Sequence, residues 1–257
     1  SGIDKIKSLV EKNDFHDSKT KGKISKKDIV KSYVGHNLSF FKCNKKLKIV
    51  ADAGNGMAGY IFPKVFSQIK NIEVVPMYFD LDPSFPNHEA NPLKLENVAS
   101  LQKRVLQEKA DLGVAYDGDA DRAMFIDEKG KYIGADFSTA LLGLSILKLH
   151  KKCYMLTDLR SSKIVCEKWK ENGATTGLSR VGHTLIKQQM IKENAIFAGE
   201  LSGHYYFLNE LKNVKYYGED TILATILILN LLDSTDKKMS ELVDPLRKYH
   251  QSGEINF

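Results

Sequence analysis

The 257-residue sequence predicts an α/β protein of two successive domains, each with a mixed, mainly parallel sheet. Three observations carry this expectation. Apolar runs of strand length alternate with longer segments of helical spacing. The strand runs are nearly continuous, as in strands covered on both faces. The alternation then begins afresh after Gly134.

Taken in order, Ile3, Ile6, Leu9 and Val10 recur at helical spacing and predict a helix over residues 3–11, followed by a polar, lysine-rich linker. Residues 47–53 read as a strand, Gly54-Asn55-Gly56 as a turn, and 60–69 as a helix. Residues 72–80 form a second strand, with an acidic, proline-bearing loop to residue 92, a helix over 93–109 and a third strand over 110–117. The stretch 122–134 reads as a hairpin with Lys129-Gly130 at its tip. A long apolar helix over 137–150 opens the second unit. It continues with a strand at 153–159, a helix capped by Ser161 or Ser162, a short strand near Thr175, a helix over 181–192 and a strand over 194–199. A Gly-rich turn, a strand from Tyr205 and an apolar helix from Thr221 complete it. The expected division is 1–32 tail and linker, 33–133 one domain, 134–248 the next, and 249–257 the start of a further one.

Composition narrows the function. With 42% hydrophobic and 27% charged residues the chain can bury a sizeable core. A formal net charge of +6 suits an anionic partner, either a phosphorylated small molecule or a nucleic acid. Lys19, Lys21, Lys23, Lys26, Lys27 and Lys31 supply much of that charge without interleaved aromatic residues, so they read as a solvated face and not as a nucleic-acid surface. Three cysteines, Cys43, Cys153 and Cys166, with no CxxC spacing, fit a reducing compartment. The longest apolar run, 221–232, is well short of the roughly 20 residues that cross a bilayer. A soluble, cytoplasmic protein with neither membrane nor nucleic-acid partner is expected.

Asp117-Gly118-Asp119-Ala120-Asp121-Arg122 follows directly on an apolar strand. Alternating aspartates in an extended loop turn three carboxylates to one side, the donor set of a hard cation such as Mg²⁺. Without a cation, their mutual repulsion costs about 1 kcal/mol or more per pair near a surface. An EF-hand is excluded, because Arg122 stands where that loop needs glycine and the flanks are strands. A phosphohydrolase with Asp117 as nucleophile remains an alternative. Gly54, Gly56 and Gly59 satisfy GxGxxG, but Asp52 and Asn55 crowd the turn, and a dinucleotide site is the weaker reading. In Gly199-Glu200-Leu201-Ser202-Gly203-His204, a carboxylate, a hydroxyl and an imidazole on a flexed backbone suit vicinal sugar hydroxyls. His183 and Lys187, four apart, share one helix face.

These motifs, in this order, resemble those of the α-D-phosphohexomutase family, in its phosphomannomutase/phosphoglucomutase branch. DGDADR is similar to its metal loop, GELSGH to its sugar-binding signature and the VGHTLIK segment (181–187) to an active-site helix. DAGNGMAG and PNHEANPLKLENV are similar to segments of its second domain. The resemblance implies that Asp117, Asp119 and Asp121 bind Mg²⁺ and that Arg122 stabilises a moving phosphoryl group. It further implies that His183 assists proton transfer with Lys187 as nearby charge, and that Glu200, Ser202 and His204 read the sugar. The implied activity interconverts hexose 1-phosphate and hexose 6-phosphate through a phosphoserine and a hexose 1,6-bisphosphate. The family has four domains. This chain corresponds to the tail of the first, the second and third entire, and the first strand of the fourth. It lacks the phosphoserine loop and is expected to be inactive alone. A non-catalytic module that binds metal and sugar phosphate is the other alternative.

Overall fold

The structure is a computed structural model that describes residues 2–16, 18–211 and 214–250. The chain divides into a short unit through Lys31 and a larger one from Ser32. The short unit carries α1 (Gly2–Glu11), whose Ile3, Ile6, Leu9 and Val10 are all exposed.

Helix α2 (Val30–Ser39) leads into the larger unit, where the sequence reading had only a linker to residue 32. Gly35, Asn37 and Ser39 give it little apolar pattern, and tertiary bonds define it instead. Tyr33 Oη donates to Asp220 at 2.8 Å, and Asn37 Nδ2 donates to the same carboxylate at 3.2 Å.

The first sheet is built from β1 (Leu47–Asp52), α3 (Ala58–Phe66), β2 (Ile72–Met77), α4 (Leu95–Glu108), β3 (Leu112–Tyr116), β4 (Ala123–Asp127) and β5 (Tyr132–Ile133). Its strand order is β2-β1-β3-β4-β5. After α5 (Ala135–Leu149), the second sheet follows with β6 (Tyr154–Asp158), α6 (Lys163–Glu171), β7 (Thr175–Ser179), α7 (His183–Glu193), β8 (Phe197–Gly199), β9 (Tyr205–Leu211) and β10 (Val214–Glu219). Its order, β10-β9-β8-β6-β7, is the same topology repeated. In each sheet the first three strands run parallel and the last two antiparallel. Helix α8 (Thr221–Asp233), the short α9 (Met239–Val243) and a 3₁₀ turn at Asp244–Leu246 close the described chain. From residue 251 on, the strand expected over 249–257 lies outside the described residues.

Helix α4 lays Val98, Leu101 and Val105 on Val50, Ala115 and Ile126, and α7 lays Ile186 and Met190 on Leu156, Ala198 and Tyr206. Each such side chain, fully buried, contributes about 1.5–3 kcal/mol. Helices α5 and α8 are apolar around most of their circumference because both are enclosed: α5 packs on α6, α8, β4 and β8. Trp169 lies on α5 where Gly143 leaves room, and its indole Nε1 donates to the Ala140 carbonyl at 3.1 Å. Among the described residues, no helix is long and apolar enough to cross a membrane.

The repeated topology fixes where a site can form. With order 2-1-3-4-5, the carboxyl ends of the first and third strands meet at a switch in chain direction, where loops splay apart and leave a crevice. The acidic loop follows β3 and the Gly199–His204 loop follows β8. They are the same hairpin connection in the two sheets.

Candidate functional site

The acidic hairpin turns within six residues. Ala120, at φ +65°, adopts a left-handed backbone between the last two aspartates. One carboxylate oxygen from each of Asp117, Asp119 and Asp121 lies within 4.8 Å of the others, a spacing that suits one small hard cation. Asp117 is buried, Asp119 exposed and Asp121 half-buried. Arg122 grips Asp117 twice, through its backbone N–H at 3.1 Å and its Nε at 2.6 Å. Burial pushes the Asp117 carboxyl up to about 6, with the Arg122 bonds pulling the other way.

Behind this hairpin stands the glycine turn after β1. Met57 N donates to the Gly118 carbonyl at 2.9 Å. A Cβ on Gly56 would lie 2.5 Å from that same oxygen, and one on Gly59 would lie 2.1 Å from the Phe79 carbonyl. Gly56 and Gly59 of the GxGxxG run therefore serve close backbone packing. Beside them His88 Nε2 approaches buried Asp52 at 3.2 Å.

The second hairpin meets the first directly. Ala123 N donates to the Gly203 carbonyl at 3.1 Å, and Arg122 and His204 form an antiparallel bridge. His204 Nε2 lies 3.3 Å from Asp121 Oδ1, while its Nδ1 lies 2.8 Å from Ser202 Oγ and 3.4 Å from Glu200 Oε2. Burial opposes charge on this imidazole. The two flanking carboxylates overcome that and push its pKa up to about 9. Asp121 is held low in return, chiefly by its hydrogen bond from His204.

Glu200 is buried, at 2% exposure. Tyr206 Oη donates to its Oε2 at 2.5 Å and Gly182 N to its Oε1 at 3.1 Å. Burial alone would raise its pKa, but these donors and His204 hold it below the ordinary carboxylate range. Gly182, at φ +118°, is the residue before α7, so the Glu200 carboxylate anchors the start of that helix. His183, the first residue of α7, is exposed beside this anchor. Lys187 is paired with Glu219 at 3.0 Å.

Thus Asp117, Asp119, Asp121, Arg122, Glu200, Ser202 and His204 converge, with His183 next to Glu200 and Lys187 engaged by β10. The sequence reading had given 158–162 mainly to strand termination and capping. Ser162 does cap α6, accepting from Ile164 N at 3.4 Å. Beyond that, buried Asp158 accepts from Leu201 N at 3.2 Å, and Arg160 Nη2 bridges Asp158 at 2.9 Å and Glu200 at 4.0 Å. Asp158 ends β6 as Asp52 ends β1. The repeat of an aspartate at the same strand end was the available signal. Tyr206 and Glu219 carried none, since both read as ordinary strand residues.

Comparison with known proteins agrees with this arrangement. The profile described as "Phosphoglucomutase/phosphomannomutase, alpha/beta/alpha domain II" matches residues 31–130, and that for domain III matches residues 135–249. A phosphomannomutase of Vibrio cholerae is 32% identical over 100% of this chain and 56% of its own length. A phosphoglucomutase of Neisseria meningitidis is 31% identical over 99% of this chain and 54% of its own. The crystal structure of a phosphoglucomutase/phosphomannomutase family protein from Burkholderia thailandensis superposes with TM-score 0.84 at 26% identity, covering 96% of this chain and 52% of that one. The chain spans about half the length of the curated relatives it matches. With both profiles in sequence order on the two repeated sheets, the chain belongs to the α-D-phosphohexomutase family.

Proposed function

We propose that this chain provides the metal-binding and sugar-reading middle of a phosphohexomutase that interconverts hexose 1-phosphates and hexose 6-phosphates. The observation that carries this reading is the 3.3 Å contact between Asp121 and His204, which joins a three-carboxylate loop to a loop with sugar-binding chemistry. Residues 33–133 act as the second domain and 134–248 as the third. The relatives that support the activity include both phosphomannomutases and phosphoglucomutases, so the substrate class is mannose or glucose phosphate.

Asp117, Asp119 and Asp121 would hold one Mg²⁺, which when bound neutralises charge on a phosphoryl group in transfer. Arg122, fixed by Asp117, offers its remaining guanidinium nitrogens to the same group. Glu200 accepts from sugar hydroxyls, and Ser202 and His204 exchange hydrogen bonds with them. His183, exposed and next to the Gly182–Glu200 anchor, is placed to move a proton at a sugar hydroxyl. Lys187, one turn on and paired with Glu219, supplies the nearby cation. Hydroxyls midway between the two phosphates serve both orientations of the sugar, so one reading loop suffices. Asp117 makes a poor nucleophile for the phosphatase alternative: it is 1% exposed and both its oxygens accept from Arg122.

The phosphoserine that the family uses is not in this sequence, so the chain alone binds without turnover. Isothermal titration of the chain with Mg²⁺, then with glucose 1-phosphate and mannose 1-phosphate, tests the reading. Binding of metal and sugar phosphate without product is expected, and Asp119→Asn weakens the metal roughly tenfold or more. Release of inorganic phosphate that Asp117→Asn abolishes would establish the phosphatase instead.

A further inference from the structure

Helix α8 belongs to the second half of the chain, yet its first turn holds the acidic hairpin. Thr221 Oγ1 donates to the Ala120 carbonyl at 2.6 Å. One turn later Thr225 Oγ1 meets Tyr116 Oη at 2.7 Å, at the point where β3 enters the hairpin. The two threonines, four apart on one helix face, thus take the loop at its mouth and at its tip.

The helix does not need the Thr221 hydroxyl for itself. Asp220 already caps α8, accepting from Leu223 N at 2.9 Å, and its backbone N–H is fixed on the Tyr205 carbonyl, one residue after His204. Thr221 is buried at 2% exposure, and a buried hydroxyl without a partner is costly. Its partner is the carbonyl of the one residue in the hairpin with a positive φ, between Asp119 and Asp121. A bond to that carbonyl sets the plane of the 120–121 peptide, and with it the direction in which Asp121 leaves the backbone.

We propose that Thr221 is a positioning residue for the metal loop, holding the Ala120–Asp121 peptide so that three carboxylates face one cation. This inference rests on the metal-binding reading above. Thr221→Ser keeps the hydroxyl and Thr221→Ala removes it, while both remove the methyl group. Electron paramagnetic resonance of Mn²⁺ titrated into the full chain is expected to give Thr221→Ser within about twofold of the parent. Thr221→Ala should be weakened about fivefold to tenfold, the measure of one lost hydrogen bond. Equal affinities for the serine and alanine variants overturn the assignment while leaving the metal site intact. A parent chain that takes no Mn²⁺ overturns the metal reading and this inference together. Should the alanine variant not fold, Thr221→Val, which fills the same volume, is measured in its place; a serine-like affinity there overturns the assignment equally.

Discussion

His204 Nε2 lies 3.3 Å from Asp121 Oδ1, and through that contact the two halves of the chain share one site. The imidazole stands between two carboxylates, Asp121 and Glu200, that come from equivalent hairpins of two sheets with the same strand order. An internal repeat has thus placed the acidic loop opposite the Gly199–His204 loop, one from each sheet.

The first prediction concerns that imidazole. Its pKa is raised to about 9, so its stabilising contribution is complete below the unfolded value near 6.5 and is lost as pH rises through about 9. A proton NMR titration of His204 in metal-free protein should therefore show a midpoint near 9. Saturating Mg²⁺ neutralises Asp121 and should bring that midpoint down. A midpoint near 6.5 in metal-free protein would mean that the two carboxylates do not face the ring in solution.

Gly56 tests the backing of the acidic loop. An alanine Cβ there would lie 2.5 Å from the Gly118 carbonyl oxygen and 2.9 Å from Gly118 Cα, both backbone atoms that no rotamer can clear. Gly56→Ala should cost about 1–3 kcal/mol and weaken Mn²⁺ binding together. Gly35→Ala, on α2 with nothing within 4 Å of its Cβ, should instead gain about 0.5–1 kcal/mol. Urea unfolding of the two variants separates these outcomes. Equal stability at both positions would show that the turn yields without strain.

Much of this was legible in the residues. The strands β1, β3, β4 and β6 are nearly continuous apolar runs closed by charged residues, and the alternating aspartates of 117–121 offer the donor set of a hard cation. Hidden elements share a physical cause. Helix α2 owes its form to Tyr33, His36 and Asn37 reaching Asp220 and Asn209, partners more than 170 positions away. Strand β10 is an edge strand carrying Lys215 and Glu219, with no periodicity to announce it. In the site, Asp158 and Arg160 fall in a stretch that reads as strand end and helix cap, because only the fold reveals that β6 ends beside Glu200.

Asp220 offers a test of that long-range tie. Burial raises its pKa, so the fold opposes its ionised form: stability falls as pH rises from the unfolded value near 3.9 through the folded one and stays reduced above it. Asp220→Asn removes this penalty. Asn37 can adapt, because its Oδ1 has no hydrogen-bond partner and a flipped amide would accept from the new Asn. Asp220→Asn should therefore match or exceed the parent at pH 7, with the difference narrowing below about pH 4. Asp220→Ala should lose about 2 kcal/mol with the α8 cap and the Tyr33 acceptor. If both variants fall alike in urea unfolding, the carboxylate charge itself holds the helix.

Tyr206 is the residue that decides how Glu200 presents itself. Its hydroxyl donates at 2.5 Å to Oε2, the oxygen that also faces His204, while Gly182 N holds Oε1. Tyr206→Phe keeps the ring packed against Leu156 and Ile186 but strips one donor from a carboxylate only 2% exposed. A hydrogen bond to a charged group contributes about 1.5–3 kcal/mol, and the loss should be of that size at neutral pH. The sign of its pH dependence is fixed. Glu200 has a lowered folded pKa, so its contribution is present above the unfolded value near 4.3 and fades as pH falls through the folded one. The phenylalanine variant should therefore trail the parent most at pH 7 and least below about pH 4, with sugar-phosphate affinity reduced as Glu200 loses its fixed orientation. Unfolding curves at the two pH values check this. An equal deficit at both would reduce the hydroxyl to neutral packing and leave the orientation of Glu200 to Gly182 and His204 alone.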